Sequence, residues 1–336
     1  MSILLRLREY ARRQWRGGHY PLLLPHFRIV AGGLQPLCGD FRPMPRPILQ
    51  ALAMCDGTRT LAQVARAAGV KRAELLQQHE AGSLLLWRAP ARPINEAGGD
   101  IGQPRHIILS PHPDDAPLSL GGWILDVRRR GEQVLIVNVF SKTAAWRFPG
   151  AAGRVDEVQA IRRAEEALMA RLTGARLHHM ELPEAMLRGH SLEQIFTASP
   201  GESDTGAASE IAAGVARLAT KYPEAQWRLP LAIGNHIDHR LTRDGGAQGL
   251  RAAAVPGDRI CFYEDLPYAA KVAAKPEPAA VASLQPIAGL LRWKLELLRI
   301  YWSQLTWPQI VEVGDYATSI GGERVWLAKN AVVFPA

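Results

Sequence analysis

Ser110-Pro111-His112-Pro113-Asp114-Asp115 follows directly on the apolar run Ile107-Ile108-Leu109. That run has the length and β-branched content of a strand buried on both faces. Beyond the motif, Leu118, Leu120, Trp123, Ile124, Leu125 and Val127 recur at helical spacing. Arg128 to Arg130 and then Gly131 supply a basic last turn and a glycine stop. A strand that turns sharply into a helix sets His112, Asp114 and Asp115 at the carboxyl edge of a sheet, where open α/β sheets bind ligands. An imidazole and a carboxylate three positions apart are a pair of zinc-ligand type, and Asp114 between them is placed to act as a base. Aspartate also caps helices, so the motif alone reads equally as a capped turn.

A second cluster shifts that balance. His236-Ile237-Asp238-His239 follows another strand-like run, Trp227 to Ile233, and the short loop Gly234-Asn235. A catalytic zinc takes three protein ligands and keeps one position open for water. Two loops at two strand ends supply that number: His112 and Asp115 from the first, one more from His236, Asp238 and His239 in the second, with Asp114 placed as the base.

The two motifs resemble those of the PIG-L/LmbE-like zinc N-deacetylases, which read roughly His-Pro-Asp-Asp-Glu and His-x-Asp-His. Arg162-Arg163-Ala164-Glu165-Glu166-Ala167 followed by Leu172-Thr173-Gly174 resembles that family's arginine- and glutamate-bearing helix. Phe262 to Tyr268 and the stretch from Lys294 to Tyr301-Trp302-Ser303-Gln304 resemble later family segments, so the likeness spans about residues 103–330. The resemblance implies that His112, Asp115 and His239 hold the zinc, that His236 stabilises an oxyanion and that Arg162 binds substrate. Asp238 is expected to orient or charge the His236 ring. Glu184, in Pro183-Glu184 where the family often has Pro-Asp, is expected to meet substrate hydroxyls. Two positions depart from the pattern: the glutamate after the aspartate pair is Ala116, and no tyrosine stands two residues before His236.

Around this centre the chain divides unevenly. Its 336 residues suggest two domains. Residues 1–99 hold 14 Lys/Arg against 6 Asp/Glu, while the remainder holds 26 of each, so the net charge of +8 belongs to the N-terminal part. The second part therefore has no electrostatic call for a polyanionic substrate. The Pro/Gly-rich stretch 89–102 reads as a linker between domains 1–88 and 103–336. Residues 1–17 read as a basic amphipathic helix, packed on its own domain or lying on a membrane surface. Residues 26–46 read as short strands and turns. Three short helices and the strand Ser83 to Trp87 follow, the second opening on a capping box at Thr60. This is the outline of a small winged-helix-like α+β module. The stretch Asp56 to Ala65 and the tail Glu80 to Leu85 resemble PqqD-like domains, which implies a peptide or protein partner. The third helix opens on Lys71 and Arg72 but continues with Gln77, Gln78 and Glu80, which argues against a nucleic-acid partner.

In the second part strands and helices alternate, so the expected fold is α/β: a Rossmann-like three-layer sandwich around a mostly parallel sheet. The loop 141–153, with Trp146 and Phe148, is placed to act as a lid. No apolar run reaches the ~18 residues of a membrane-spanning helix. Cys38, Cys55 and Cys261 form no disulfide or zinc framework, which suits a reducing cytoplasm. The expected activity is that of a zinc-dependent hydrolase removing an N-acyl, chiefly N-acetyl, group from an amino sugar or its conjugate. The competing expectations are a binding or scaffold protein with a degenerate deacetylase domain, and a membrane-surface glycolipid deacetylase.

Overall fold

The computed structural model describes residues 18–37, 39–89, 91, 103–145, 154–272 and 280–328. The expected amphipathic helix 1–17, most of the linker, Cys38, and Trp146 and Phe148 lie outside the described residues.

The N-terminal part holds β1 (Tyr20–Leu23), β2 (Phe27–Val30), β3 (Gly33–Pro36), β4 (Arg42–Pro43), α1 (Arg46–Ala53), α2 (Leu61–Ala68), α3 (Arg72–Glu80) and β5 (Leu84–Trp87). Strand β1 pairs antiparallel with β5, and β2, β3 and β4 form an antiparallel meander. As the sequence predicts, Thr60 and Gln63 close a capping box on α2, which stops at left-handed Gly69. This is a small α+β unit with antiparallel strands.

The rest of the chain runs β6 (His106–Ser110), α4 (Asp115–Arg129), β7 (Val134–Asn138), α5 (Val155–Thr173), β8 (Arg176–His179), α6 (Gln194–Thr197), α7 (Glu202–Lys221), β9 (Gln226–Pro230), α8 (Ile237–Ala252), β10 (Ile260–Tyr263), β11 (Ala280–Pro286), α9 (Leu291–Leu298), α10 (Trp307–Ile320) and β12 (Gly322–Ala328). Helix α7 opens at Glu202, where Asp204 reaches back to accept from the Gly201 N–H at 2.8 Å and secures the start.

These strands make one sheet in the order β11-β12-β10-β9-β6-β7-β8. The run β10-β9-β6-β7-β8 is parallel throughout, and β11 and β12 close one edge antiparallel. Helices cover both faces, as the sequence predicts. Ile108 and Ile136 face one side with α4, α9 and α10; Ile107, Leu109, Leu135 and Val137 face the other with α7 and α8. From β6 the chain winds outward through β7 to β8, then returns to β9 on the opposite flank. The β6/β9 gap is therefore the topological switch point, where a crevice opens at the carboxyl ends of the strands. Both predicted motifs emerge there.

Two details hold the helices in place. At Gly249 a Cβ would sit 2.4 Å from Ala212 O, and at Gly245 one would sit 2.9 Å from Ala208 O. Glycine at those turns of α8 lets the α7 backbone approach. Helix α4 breaks at Leu120 (φ −126°, ψ 16°). The break frees the N–H groups of Gly122 and Trp123, which donate to Glu323 Oε1 and Oε2 at 2.9 and 2.7 Å. Glu323 also lies 2.7 Å from the buried Lys294 ammonium. An inserted side chain of this kind is a recognised cause of a helix kink.

The apolar core does not stop at the predicted domain boundary. Leu22, Leu52, Val64, Leu86 and Trp87 continue without a break into Leu118, Leu295 and Leu298. Trp293 on α9 meets Trp87 edge-on at 5.5 Å. Arg299 donates to His79 O at 2.7 Å and to Leu84 O at 3.3 Å.

Candidate metal centre and pocket

The first loop is fixed by its own polar groups. Asp115 Oδ2 accepts from the His112 N–H at 2.8 Å, and Ser110 Oγ donates to His112 O at 2.6 Å while accepting from the Ala116 N–H at 3.0 Å. Asp114 occupies the N-cap position of α4 without capping it. Its Oδ1 accepts from Arg162 at 3.0 Å instead. The second loop needs left-handed backbone at Ala232, Gly234 and Asn235, and a Cβ at Gly234 would meet the Tyr268 ring at 2.6 Å. Residues held in such regions cluster at functional sites. A third loop, after β10, brings in Asp265, which accepts from the Ile233 N–H at 2.9 Å and ties the second loop down.

His112, Asp115 and His239 come together as the sequence predicts, and each histidine is gripped from outside. Asp265 Oδ1 lies 2.7 Å from His239 Nδ1. Asp238 Oδ2 lies 2.9 Å from His112 Nε2. A carboxylate accepts, so in the neutral rings the proton sits on that outer nitrogen. The inner nitrogens, His112 Nδ1 and His239 Nε2, then turn their lone pairs toward one oxygen, Asp115 Oδ2, at 3.2 and 3.4 Å. Lone pairs and an anion converging in this way call for a cation among them. Histidine ligands backed by carboxylates are the usual support of a metal centre.

The electrostatics agree. Burial favours neutral rings, yet the hydrogen bonds and charges of Asp115 and Asp238 push His112 well above the ordinary histidine range. Burial also opposes charge on His239, which Asp115 and Asp265 nevertheless push up. Burial would raise Asp115, but the His239 charge and the His112 contacts hold it down to about 2. The centre draws positive charge to its middle, so its donor set fits a divalent ion such as zinc. A second triple, His112, His236 and Asp238, also has ligand atoms within 4.8 Å of one another. It shares His112 with the first, and Asp238 Oδ2 already lies 2.9 Å from His112 Nε2.

Around the centre the other expected residues fall as follows. His236 Nδ1 accepts from the Asp238 N–H at 3.1 Å, which leaves the ring proton on Nε2. Burial, then the His112 and His239 charges, hold its pKa down to about 3, so the ring is neutral near pH 7. The Asp238 carboxylate reaches His112 and the Ala185 N–H rather than the His236 ring. Burial opposes its ionisation, but His112 and Arg188, 2.8 Å away, hold its pKa far below the carboxylate range. Asp114 is pushed up by burial, against the opposing charge of Arg162. Arg162 is buried and lines the pocket beside Asp114. Glu184 lines it too, with its carboxylate engaged by Thr143 Oγ1 and by the N–H groups of Ala144 and Ala145, each at 2.6 Å. Ala116, where the resembled family has glutamate, is fully buried.

Arg188 escaped the sequence reading, and Glu165, Asp265 and Tyr268 stood in segments resembling the family without a role. Tyr268 packs edge-on against His239 at 5.7 Å, and Phe196 against His236 at 5.3 Å. Glu165, pushed up to about 8 by burial, accepts from Ser303 N and Oγ at 2.9 and 2.6 Å. It thereby holds the segment that carries Gln304 and Leu305 into the pocket wall. For Asp265 and Tyr268 a signal existed, since both follow a third strand-like run. The pocket holds about 300 Å³, at the small end for ligand sites. Met186, Leu192 and Ile195 form an apolar wall on one side.

The fold and this centre together define a class: α/β proteins with a His/Asp metal-type centre and an adjacent aspartate at the switch point of a mostly parallel sheet. Within that class the chain belongs to the PIG-L family. The family model described as GlcNAc-PI de-N-acetylase matches residues 107–249. The chain is 31% identical over 257 residues to the 2'-N-acetylparomamine deacetylase of Streptomyces fradiae, across 73% of this chain and 89% of that relative. Among solved structures, the deacetylase of the A40926 pseudoaglycone superposes with a TM-score of 0.55 at 22% identity, over 69% of this chain and all of that one (100%). The zinc-inhibited form of teicoplanin deacetylase superposes with a TM-score of 0.55 at 22% identity, over 68% of this chain and 100% of that one. These two likenesses concern the fold. Among the described residues no helix is long and apolar enough to cross a membrane.

Proposed function

We propose that the protein is a zinc-dependent N-deacetylase that removes the acetyl group from an amino sugar or amino-sugar conjugate in a biosynthetic pathway. The observation that carries this reading is the convergence of His112 Nδ1 and His239 Nε2 on Asp115 Oδ2, each ring backed by a buried carboxylate, beside Asp114. Descent shared with an amino-sugar deacetylase supports the substrate class.

In this reading His112, Asp115 and His239 hold the ion. Zinc, when bound, polarises the acyl carbonyl and acidifies a water molecule. Asp114 takes the proton of the attacking water; its raised pKa suits a group that must accept and then release a proton. Arg162 fixes the Asp114 carboxylate for that task. His236 offers its Nε2–H to the oxygen that gains negative charge, and being neutral it keeps that proton to share. Asp114 then passes its proton to the leaving amine as the C–N bond breaks, giving acetate and the free amino sugar. Asp238 keeps His112 in the required tautomer. Glu184 acts by holding Thr143 to Ala145 at the pocket edge, with a share in binding substrate hydroxyls. A cytoplasmic location agrees with Cys55 and Cys261 being free and buried.

The test is acetate release from 2'-N-acetylparomamine and from N-acetylglucosamine by zinc-loaded protein. Asp114→Asn should retain zinc and lose on the order of 10²-fold or more in kcat. Parent-like turnover in that variant would remove Asp114 from the base role, and no acetate from either substrate would sink the reading.

A further inference from the structure

The apolar wall of the pocket is tied to the metal centre by one arginine. Arg188 closes the 3-10 turn Ala185–Arg188, which stops at left-handed Gly189 (φ 98°). Met186 of that turn lines the pocket, and Leu192 and Ile195 continue the same wall. The Arg188 side chain is 4% exposed and sits between two fully buried carboxylates. Its Nη2 lies 2.9 Å from Asp204 Oδ1 and 2.8 Å from Asp238 Oδ1. Nε donates to Asp204 Oδ1 at 2.9 Å, and Nη1 donates to Pro183 O at 2.7 Å. The guanidinium also lies over the Phe140 ring, 4.7 Å from its centroid. Phe140 in turn donates its N–H to Pro111 O at 2.9 Å, one residue before His112.

The two carboxylates are held differently. Asp204 Oδ2 accepts from the Gly201 N–H at 2.8 Å and lies 3.0 Å from His190 Nε2, so Asp204 is a fixed anchor from which Arg188 reaches out. Asp238 Oδ2 meets His112 Nε2 at 2.9 Å and the Ala185 N–H at 3.0 Å, and Arg188 meets its other oxygen. The carboxylate that aims the His112 ring is thus fixed through both oxygens. Without the guanidinium, two buried anions would face one space with no cation between them. A lysine would bring the charge but not the fork that reaches Pro183, Asp204 and Asp238 together. The far end of the wall is fastened to the second loop as well, where Asn235 Nδ2 donates to Phe196 O at 2.9 Å.

We propose that Arg188 is a positioning residue of the metal centre. It acts through Asp238 to hold the His112 ring on the ion, and with the same guanidinium it fixes the pocket wall to that ring. The inference rests on the metal site of the deacetylase reading and adds to it the group that keeps the site in shape.

The test measures zinc affinity of the full-length protein by competition against a chromophoric chelator, so it needs no substrate. Arg188→Met should weaken zinc binding about tenfold, the lower end of the scale for a group behind a ligand, and should shift the visible bands of the cobalt-loaded protein. Arg188→Lys should recover part of the loss. Arg188→Met combined with Asp204→Asn leaves one unanswered charge fewer, which spares the fold, and should show the same loss. In an Asp238→Asn background, Arg188→Met should add less than about twofold, because the carboxylate it acts through is gone. Parent-like zinc affinity and cobalt bands in both Arg188→Met and its combination with Asp204→Asn overturn the assignment, since a merely structural arginine moves only the melting temperature. So does an undiminished loss in the Asp238→Asn background. A parent that takes up no zinc overturns the metal centre itself. A parent that binds zinc and releases no acetate overturns the deacetylase reading and leaves the result for Arg188 standing.

Discussion

At the scale of single residues, the centre is decided by which nitrogen of each histidine carries the proton. Asp265 sets this for His239 and Asp238 for His112. Asp265→Ala should therefore lower zinc affinity by about 10–100-fold while leaving the fold intact, because the ring loses its orientation and its tautomer preference. Competition against a chromophoric chelator would measure it, and an unchanged affinity would show that Asp265 does not support the ligand. The residues of the proposed centre are legible in the sequence because they come from two compact motifs: His112, Asp114 and Asp115 lie within four positions, as do His236, Asp238 and His239. Their partners are not. Asp265 is 26 residues from His239, and Asp238 is 126 from His112, so nothing local pairs them. The same limit explains Asp238. From the motif it stands next to His236, but α8 turns its carboxylate toward His112 and Arg188.

At the scale of elements, the buried pair Lys294–Glu323 does the work that sequence patterning hides. Lys294 on α9 stands in a segment resembling the family, without a role; in the fold it is fully buried, and Glu323, at the head of β12, meets it. Glu323 also satisfies the two N–H groups freed at the α4 break. Glu323→Ala should cost about 3–5 kcal/mol, the scale for removing one partner of a buried pair and leaving the other charge unanswered. Urea unfolding of parent and variant would measure it; a difference below about 1 kcal/mol would mean that water or a neighbour takes over the carboxylate's role. The parallel strands, by contrast, are legible at once. Val134 to Val137 is apolar and mostly β-branched and is buried on both faces, and the interior of a covered sheet suits such a run.

At the scale of the whole molecule, composition separates the two parts and packing joins them. The charge contrast and the Pro/Gly stretch argue for a boundary at 89–102, and we propose it as a boundary of chain organisation. The apolar core nevertheless crosses it, with Trp87 against Trp293 and Leu86 in one cluster with Leu298. Beyond α9 the chain leads to Ser303, Gln304 and Leu305, the last two in the pocket wall. Removing residues 1–88 should therefore expose α9, lower the melting temperature and reduce turnover of small and large substrates alike. Full activity on N-acetylglucosamine in the truncated chain would instead make the N-terminal part a substrate- or partner-holding module. This apolar contact was not legible because α9 shows its Trp293 face as ordinary core spacing, whichever part of the chain covers it. The central claim is that His112, Asp115 and His239 hold one catalytic zinc, and the most direct test is acetate release by chelator-stripped protein titrated with zinc. The account predicts no release without metal and a rise that breaks at about one equivalent per chain, the count for one three-ligand catalytic site; acetate release by fully stripped protein at the rate of the loaded form would contradict it.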